Sequence, residues 1–184
     1  MATRSNGHVC ARRCRADCDH PGGQRRPAAG TTRCRFSSLP HAWNDHRRFD
    51  LTIPASSYVD VAGSAGGPTM VPVSQTPFDF TGPRRIGSTR LDTAFGELVR
   101  DHDGRAVAVL EDADRGRSLR LWVNDAYRYL MVYTADQVDR PERRRLAIAV
   151  EPMTCPPDAF RTRTDLIELD PGAGWQGSWG LRFT

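Results

Sequence analysis

Residues 171–183 read PGAGWQGSWGLRF, and this stretch decides the fold class. Trp175, Gly177, Trp179, Leu181 and Phe183 recur at every second position, so in an extended chain they share one face. The same period recurs at 119–123, where Leu119, Leu121 and Val123 alternate with Arg120 and Trp122. Residues 105–110 (RAVAVL) form another β-prone run. The Asp101-His102-Asp103-Gly104 before it is a hairpin signal, because Asp-Gly tolerates positive φ. Further strands are expected at 49–53, 92–98, 129–134, 146–150 and 166–169, with Pro- and Gly-rich connections at 62–68, 82–83, 156–157 and 171–174. No stretch sustains a 3.6-residue period. Many short strands joined by turns mean an all-β sandwich or barrel.

Charge divides the 184 residues in two. All 26 residues counted as Lys or Arg are arginine, and the formal net charge is +4. Residues 1–48 carry ten Arg against three acids, whereas residues 49–184 carry sixteen Arg against nineteen acids. The basic excess therefore belongs to the first quarter, which also holds four of the five Cys and four of the five His. No apolar run approaches the roughly 18 residues needed to span a bilayer, and no secretory signal is recognisable, so a cytoplasmic location is expected. Cys155, the one cysteine of the second part, argues against a disulfide scaffold there.

Residues 1–48 contain only Val9, Phe36 and Leu39 among Val, Ile, Leu and Phe. That is too little apolar area to offset ordering entropy, so a segment disordered on its own is expected. Cys10, Cys14 and Cys18, with His8 and His20, offer soft ligands, but their spacing matches no common zinc knuckle, and no metal site is expected. A lysine-free, Arg-rich composition suits GC-rich DNA, and a wrong-frame translation is the hypothesis it suggests for this segment, to be tested by reading the gene. Suitable codons for Arg35 to His41, read from the second base, give Gly-Phe-His-Pro-Tyr-Leu. This reading requires TCA at Ser37 and CTA at Leu39.

No phosphate loop, dinucleotide fingerprint, zinc-protease motif or nucleophile elbow is present. The run Arg143-Arg144-Arg145 could meet an anion, but flanked by Asp139 and Glu142 it is read as a solvated approach to the next strand. The segment richest in chemistry is AVEPMTCPPDAF, residues 149–160. It sets Glu151 at an expected strand end, between an apolar run and a Pro-rich turn. Desolvation there favours general-base work; the alternative is a turn carboxylate capping backbone amides.

That string resembles the C-terminal signature of the aldose 1-epimerases, the galactose mutarotase family. LTIPASSY (51–58), TPFDFTGPRRIGSTRLDTAF (76–95), LWVNDAYRYLMVYTAD (121–136) and PGAGWQGSW (171–179) are also similar to that family and follow its order. The resemblance covers about residues 49–184, roughly the C-terminal half of a family member. It implies a large antiparallel β-sandwich, here incomplete, preceded by a disordered segment 1–48. It implies an isomerase that interconverts α and β anomers of free aldoses without a cofactor.

In such an enzyme a glutamate removes the proton of the anomeric hydroxyl while a histidine protonates the ring oxygen. By motif position Glu151 matches the base, and Asp92 matches an aspartate that hydrogen-bonds sugar hydroxyls. Met131 falls where many members carry a sugar-binding glutamine, and a thioether cannot donate as an amide does. Trp122 and Tyr133 could stack on a sugar, though core packing is the expected role of each. The family's acid histidine, in Gly-Phe-His-Pro-Tyr-Leu, has no counterpart in this chain; His41 and His46 are the nearby substitutes.

The expected partner is a small aldose, with no nucleic acid and no membrane. Little mutarotase activity and a tendency to aggregate are expected of a truncated sandwich. A non-catalytic carbohydrate-binding sandwich is the alternative.

Overall fold

A computed structural model describes residues 9–17, 26–27, 45–61 and 68–184, the first two stretches as backbone only. The strands are β1 (Val9–Asp17), β2 (Arg26–Pro27), β3 (Asp50–Thr52), β4 (Ala55–Asp60), β5 (Thr69–Pro72), β6 (Arg84–Arg85) and β7 (Asp92–Leu98). They continue with β8 (Ala106–Asp112), β9 (Arg117–Val123), β10 (Tyr129–Tyr133), β11 (Ala149–Met153), β12 (Glu168–Leu169) and β13 (Gly174–Phe183). A single turn of helix, α1 (Ala159–Thr162), follows β11. One sheet has the order β1-β13-β9-β8-β3-β6, a second β11-β10-β7-β4-β5, and β12 pairs with β2 alone. The pairings are antiparallel throughout the described residues.

Period-two patterning becomes burial. Leu119, Leu121 and Val123 of β9, Ala106, Ala108 and Leu110 of β8, and Trp179 of β13 face inward from the six-stranded sheet. They join Phe95, Leu130, Val132 and Val150 of the five-stranded sheet in one core cluster. The two large sheets therefore pack face to face, and the all-β antiparallel sandwich expected from the sequence is the fold.

Two local expectations change. Gly104 takes φ 74 and its amide donates to the Asp101 carbonyl at 3.0 Å, as the Asp-Gly signal requires. Yet this turn makes no hairpin: β7 and β8 lie in different sheets, because β10 and β4 flank β7 while β9 and β3 flank β8. The strand expected at 146–150 begins instead at Ala149 and runs to Met153. A 3-10 turn at Pro141–Arg143 and positive φ at Arg145 keep the chain bent, and Leu146 stays exposed.

Of residues 1–48, the backbone of Val9–Asp17 pairs along β13, from Val9 opposite Arg182 to Asp17 opposite Gly174. Most other expectations for that segment, including His8, Cys18, His20, Ser37, Leu39 and His41, lie outside the described residues. Among the described residues no three His, Cys, Asp or Glu side chains gather as a metal ion would require. No described helix is long and apolar enough to cross a membrane.

Candidate functional site

Register decides which side chains meet on the five-stranded sheet. Glu151 of β11 stands opposite Met131 of β10, and Met131 opposite Ala94 of β7. One row along, Ala149 stands opposite Tyr133, and Tyr133 opposite Asp92. Val150, Val132 and Phe95 point into the core, so alternation sends Glu151, Met131, Asp92 and Tyr133 to the opposite face. Two strand spacings and two residues along the sheet put the Cα atoms of Glu151 and Asp92 about 12 Å apart.

Glu151 lies mid-strand rather than at the strand end expected from the sequence, and it is half-buried. Pro152 next to it has no amide to donate, which β11 tolerates as the outermost strand of its sheet. Val59, Ala94 and Tyr129 form a second apolar cluster on this outer face, with Met131 and Met153 packed against it. Glu151 therefore rises beside apolar side chains. Met131, where a glutamine would present an amide, adds a thioether to that surface.

Tyr129 holds one wall. Its Oη donates to Asp165 Oδ2 at 2.7 Å, and Arg128 pairs with the same carboxylate. Burial, then the bond to Asp165, push the Tyr129 hydroxyl above its ordinary range, so it remains a neutral donor. The ring lies directly on Gly96: a Cβ there would come within 2.9 Å of Tyr129 Cε1. Nothing in the sequence announces this pair, whose members are 36 residues apart.

Asp92 is exposed and opens onto a cavity of about 340 Å³, shared with Tyr133, Asp136, Arg90, Arg144 and Arg145. Glu151 does not line this cavity. Arg145 anchors it. Its Nη1 donates to Asp136 Oδ1 at 2.5 Å, and its Nη2 donates to the carbonyls of Gly87 and Thr89 at 2.9 and 3.0 Å. Asp136 also accepts from Thr134, a fully buried residue whose hydroxyl receives the Leu91 amide at 2.9 Å. The arginine run read as a solvated approach is thus divided, since the Arg145 side chain is only 18% exposed.

Tyr133 borders the cavity and its hydroxyl accepts the Gln137 amide at 3.0 Å. Trp122 belongs to the other large sheet, under the Arg105 guanidinium at 4.5 Å, and has no part here.

Neither described histidine lines the cavity beside Asp92 or belongs to the apolar cluster near Glu151. His102 sits in the turn between β7 and β8, with its side chain 90% exposed. His46 is buried in a 3-10 turn before β3. Burial, then the Arg145 charge, lower its pKa to about 4, so at neutral pH the ring is uncharged and does not act as an imidazolium acid.

Comparison with known proteins agrees with this fold. The family model of aldose 1-epimerase matches residues 38–182, starting eleven residues before Phe49. The uncharacterised protein YihR of Escherichia coli K12 is 29% identical over 126 residues, which cover 65% of this chain and 35% of YihR. A GalM/aldose epimerase homologue from C. elegans superposes with a TM-score of 0.73 at 16% identity, covering 96% of this chain and 56% of that one. Galactose 1-epimerase from Lactobacillus acidophilus NCFM gives 0.58 at 22% identity, covering 77% and 45%. The chain thus spans about half the length of these solved structures, or less, and about a third of YihR. The matched residues carry β3 to β12 and all but the end of β13, and the chain belongs to the aldose 1-epimerase family.

Proposed function

We propose that this chain binds a free aldose on the outer face of the five-stranded sheet, with Glu151 as the base for the anomeric hydroxyl and Asp92 as a hydroxyl acceptor. The observation that carries this reading is their placement on one face, two strands and two residues apart. Glu151 among apolar side chains suits proton abstraction, while the exposed Asp92 suits exchange of water for sugar hydroxyls. Ring opening needs push and pull together, a base at the anomeric hydroxyl and an acid at the ring oxygen. His46 is buried and uncharged and His102 stands in a remote turn, so the described residues supply the push alone. Sugar binding with little anomer interconversion is what these described residues would support by themselves, and a carbohydrate-binding sandwich is the second reading.

Polarimetry of fresh α-glucose or α-galactose, alongside calorimetric titration of the same sugars, tests the reading. The expected result is saturable binding, weakened about tenfold in Asp92→Asn by loss of a charged acceptor. The optical rotation should relax scarcely faster than in buffer. A robust rate abolished in Glu151→Gln would overturn the expected inactivity and show that residues beyond the described ones supply the acid. Unchanged affinity in Asp92→Asn would remove Asp92 from the site.

A further inference from the structure

The cavity beside Asp92 has more positive charge than a neutral sugar can use. Of its three guanidiniums, Arg145 commits both of its Nη groups, to Asp136 and to two carbonyls, and its Nε is buried. Asp136 is engaged in turn by Arg145 and Thr134. Arg90 reaches its nearest carboxylate, Asp136, only at 3.8 Å, beyond hydrogen-bond distance, with its side chain 83% exposed. Among the described residues the Arg144 side chain makes one hydrogen bond, Nε to the Val138 carbonyl at 3.2 Å, and no ion pair. Once the internal pairs are formed, the cavity presents one carboxylate, Asp92, and two guanidiniums with donors to spare.

The rim that carries Arg144 is also held in a costly shape. Arg145 has φ 58, a conformation rare for a side chain branched at Cβ or larger, and it persists because four contacts fix it. That clamp fixes where the neighbouring Arg144 leaves the backbone. If the anomeric carbon lies at Glu151, a sugar that reaches toward Asp92 presents its far end to this rim.

We propose that the cavity beside Asp92 receives an anionic substituent of the aldose, a carboxylate or a phosphate at the end remote from C1, held by Arg90 and Arg144. Guanidinium groups bind both oxyanions through paired N–H donors, and such bonds outlast competition with water better than neutral ones. This inference rests on the aldose reading above and names the substrate class for the same face. It also gives the arginine run a role that its flanking acids alone would not suggest.

Calorimetric titrations of the full chain at low salt with glucose, glucuronate, glucose 6-phosphate and inorganic phosphate test it. Anionic sugars should bind about tenfold more tightly than glucose, and the stronger of the two identifies carboxylate or phosphate as the preferred group. In Arg144→Ala, and separately in Arg90→Ala, the ratio of anionic to neutral affinity should fall toward one. Both side chains lie at the rim, and thermal melting of each variant confirms that the sandwich is intact. Equal affinity for glucose and its anionic counterparts, or an unaltered ratio in both variants, overturns the proposal. If no sugar binds, the aldose reading fails, and inorganic phosphate then decides the anion site alone. Phosphate binding lost in Arg144→Ala upholds it, and absence of phosphate binding ends it.

Discussion

Both ring nitrogens of His46 are buried without a hydrogen-bond partner, in a residue 1% exposed. The folded chain therefore prefers the neutral ring, with a pKa near 4 against an ordinary 6.5, through burial first and the Arg145 charge second. A histidine whose pKa is depressed by folding binds more protons unfolded than folded between those values. Stability should be complete above pH 6.5 and decline as pH falls to about 4, by about 3 kcal/mol at most. His46→Leu removes the titration and two unsatisfied nitrogens together. Urea unfolding of wild type and variant between pH 7 and pH 4 should show a slope in the first and a nearly flat line in the second. Parallel slopes would mean that other groups govern this window. His46 was legible in the sequence only as a candidate acid, because the charges that act on it, Arg145 and Asp136, lie far along the chain.

At the scale of elements, β7 carries the feature on which the outer face depends. Gly96 stands under the Tyr129 ring, and a methyl group there would meet Tyr129 at 2.9 Å and Met70 at 2.7 Å. Met70 can swing aside, but the Tyr129 ring is held by the Asp165 hydrogen bond. Gly96→Ala should cost about 1 kcal/mol, the strain outweighing the alanine's better strand propensity. Gly96→Ala in a Tyr129→Ala background should be neutral or favourable, and a double-mutant cycle by chemical unfolding measures the difference. Additive effects would show that the ring and the glycine do not press on one another.

Alternation made most strands legible: 92–98 matches β7 residue for residue, and Leu119, Leu121 and Val123 are buried as their spacing requires. The Asp-Gly turn was legible as a turn but not as a crossing between sheets, since local chemistry fixes φ and not the partner strand. Glu151 and Asp92 stand as candidates on their motifs, and register adds that they share a face of the sheet. The Tyr129–Asp165 wall and the Arg145 clamp were not, because both join residues distant in sequence.

Across the whole molecule, one buried carboxylate reinforces the end of the six-stranded sheet where three neighbouring strands, β3, β8 and β9, come together. Asp112, fully buried at the end of β8, accepts from Arg48 ahead of β3 at 2.7 Å and from Arg117 at the start of β9 at 2.6 Å. Burial alone would raise its pKa, but the Arg117 hydrogen bond and the Arg48 charge outweigh burial and leave it below the ordinary range. A depressed carboxylate contributes stability above its unfolded pKa, about 4, and that contribution is lost as pH falls through the folded value. Neutralising this carboxylate leaves Arg115, at 3.7 Å, and the two guanidiniums that hydrogen-bond it facing an uncharged group. The side chains of Arg48 and Arg117 remain 29% and 30% exposed, which places the cost of Asp112→Asn at the low end for buried ion pairs, about 2–3 kcal/mol. For a chain of this length that lowers Tm by roughly 5–10 °C at pH 7. The acid response of the protein should then have two parts, a His46 part between pH 6.5 and 4 and an Asp112 part below it. Thermal melts at half-unit steps should show wild type and Asp112→Asn running parallel through the first and converging in the second. A constant gap down to pH 2 would mean that Asp112 is held by packing and not by its charge.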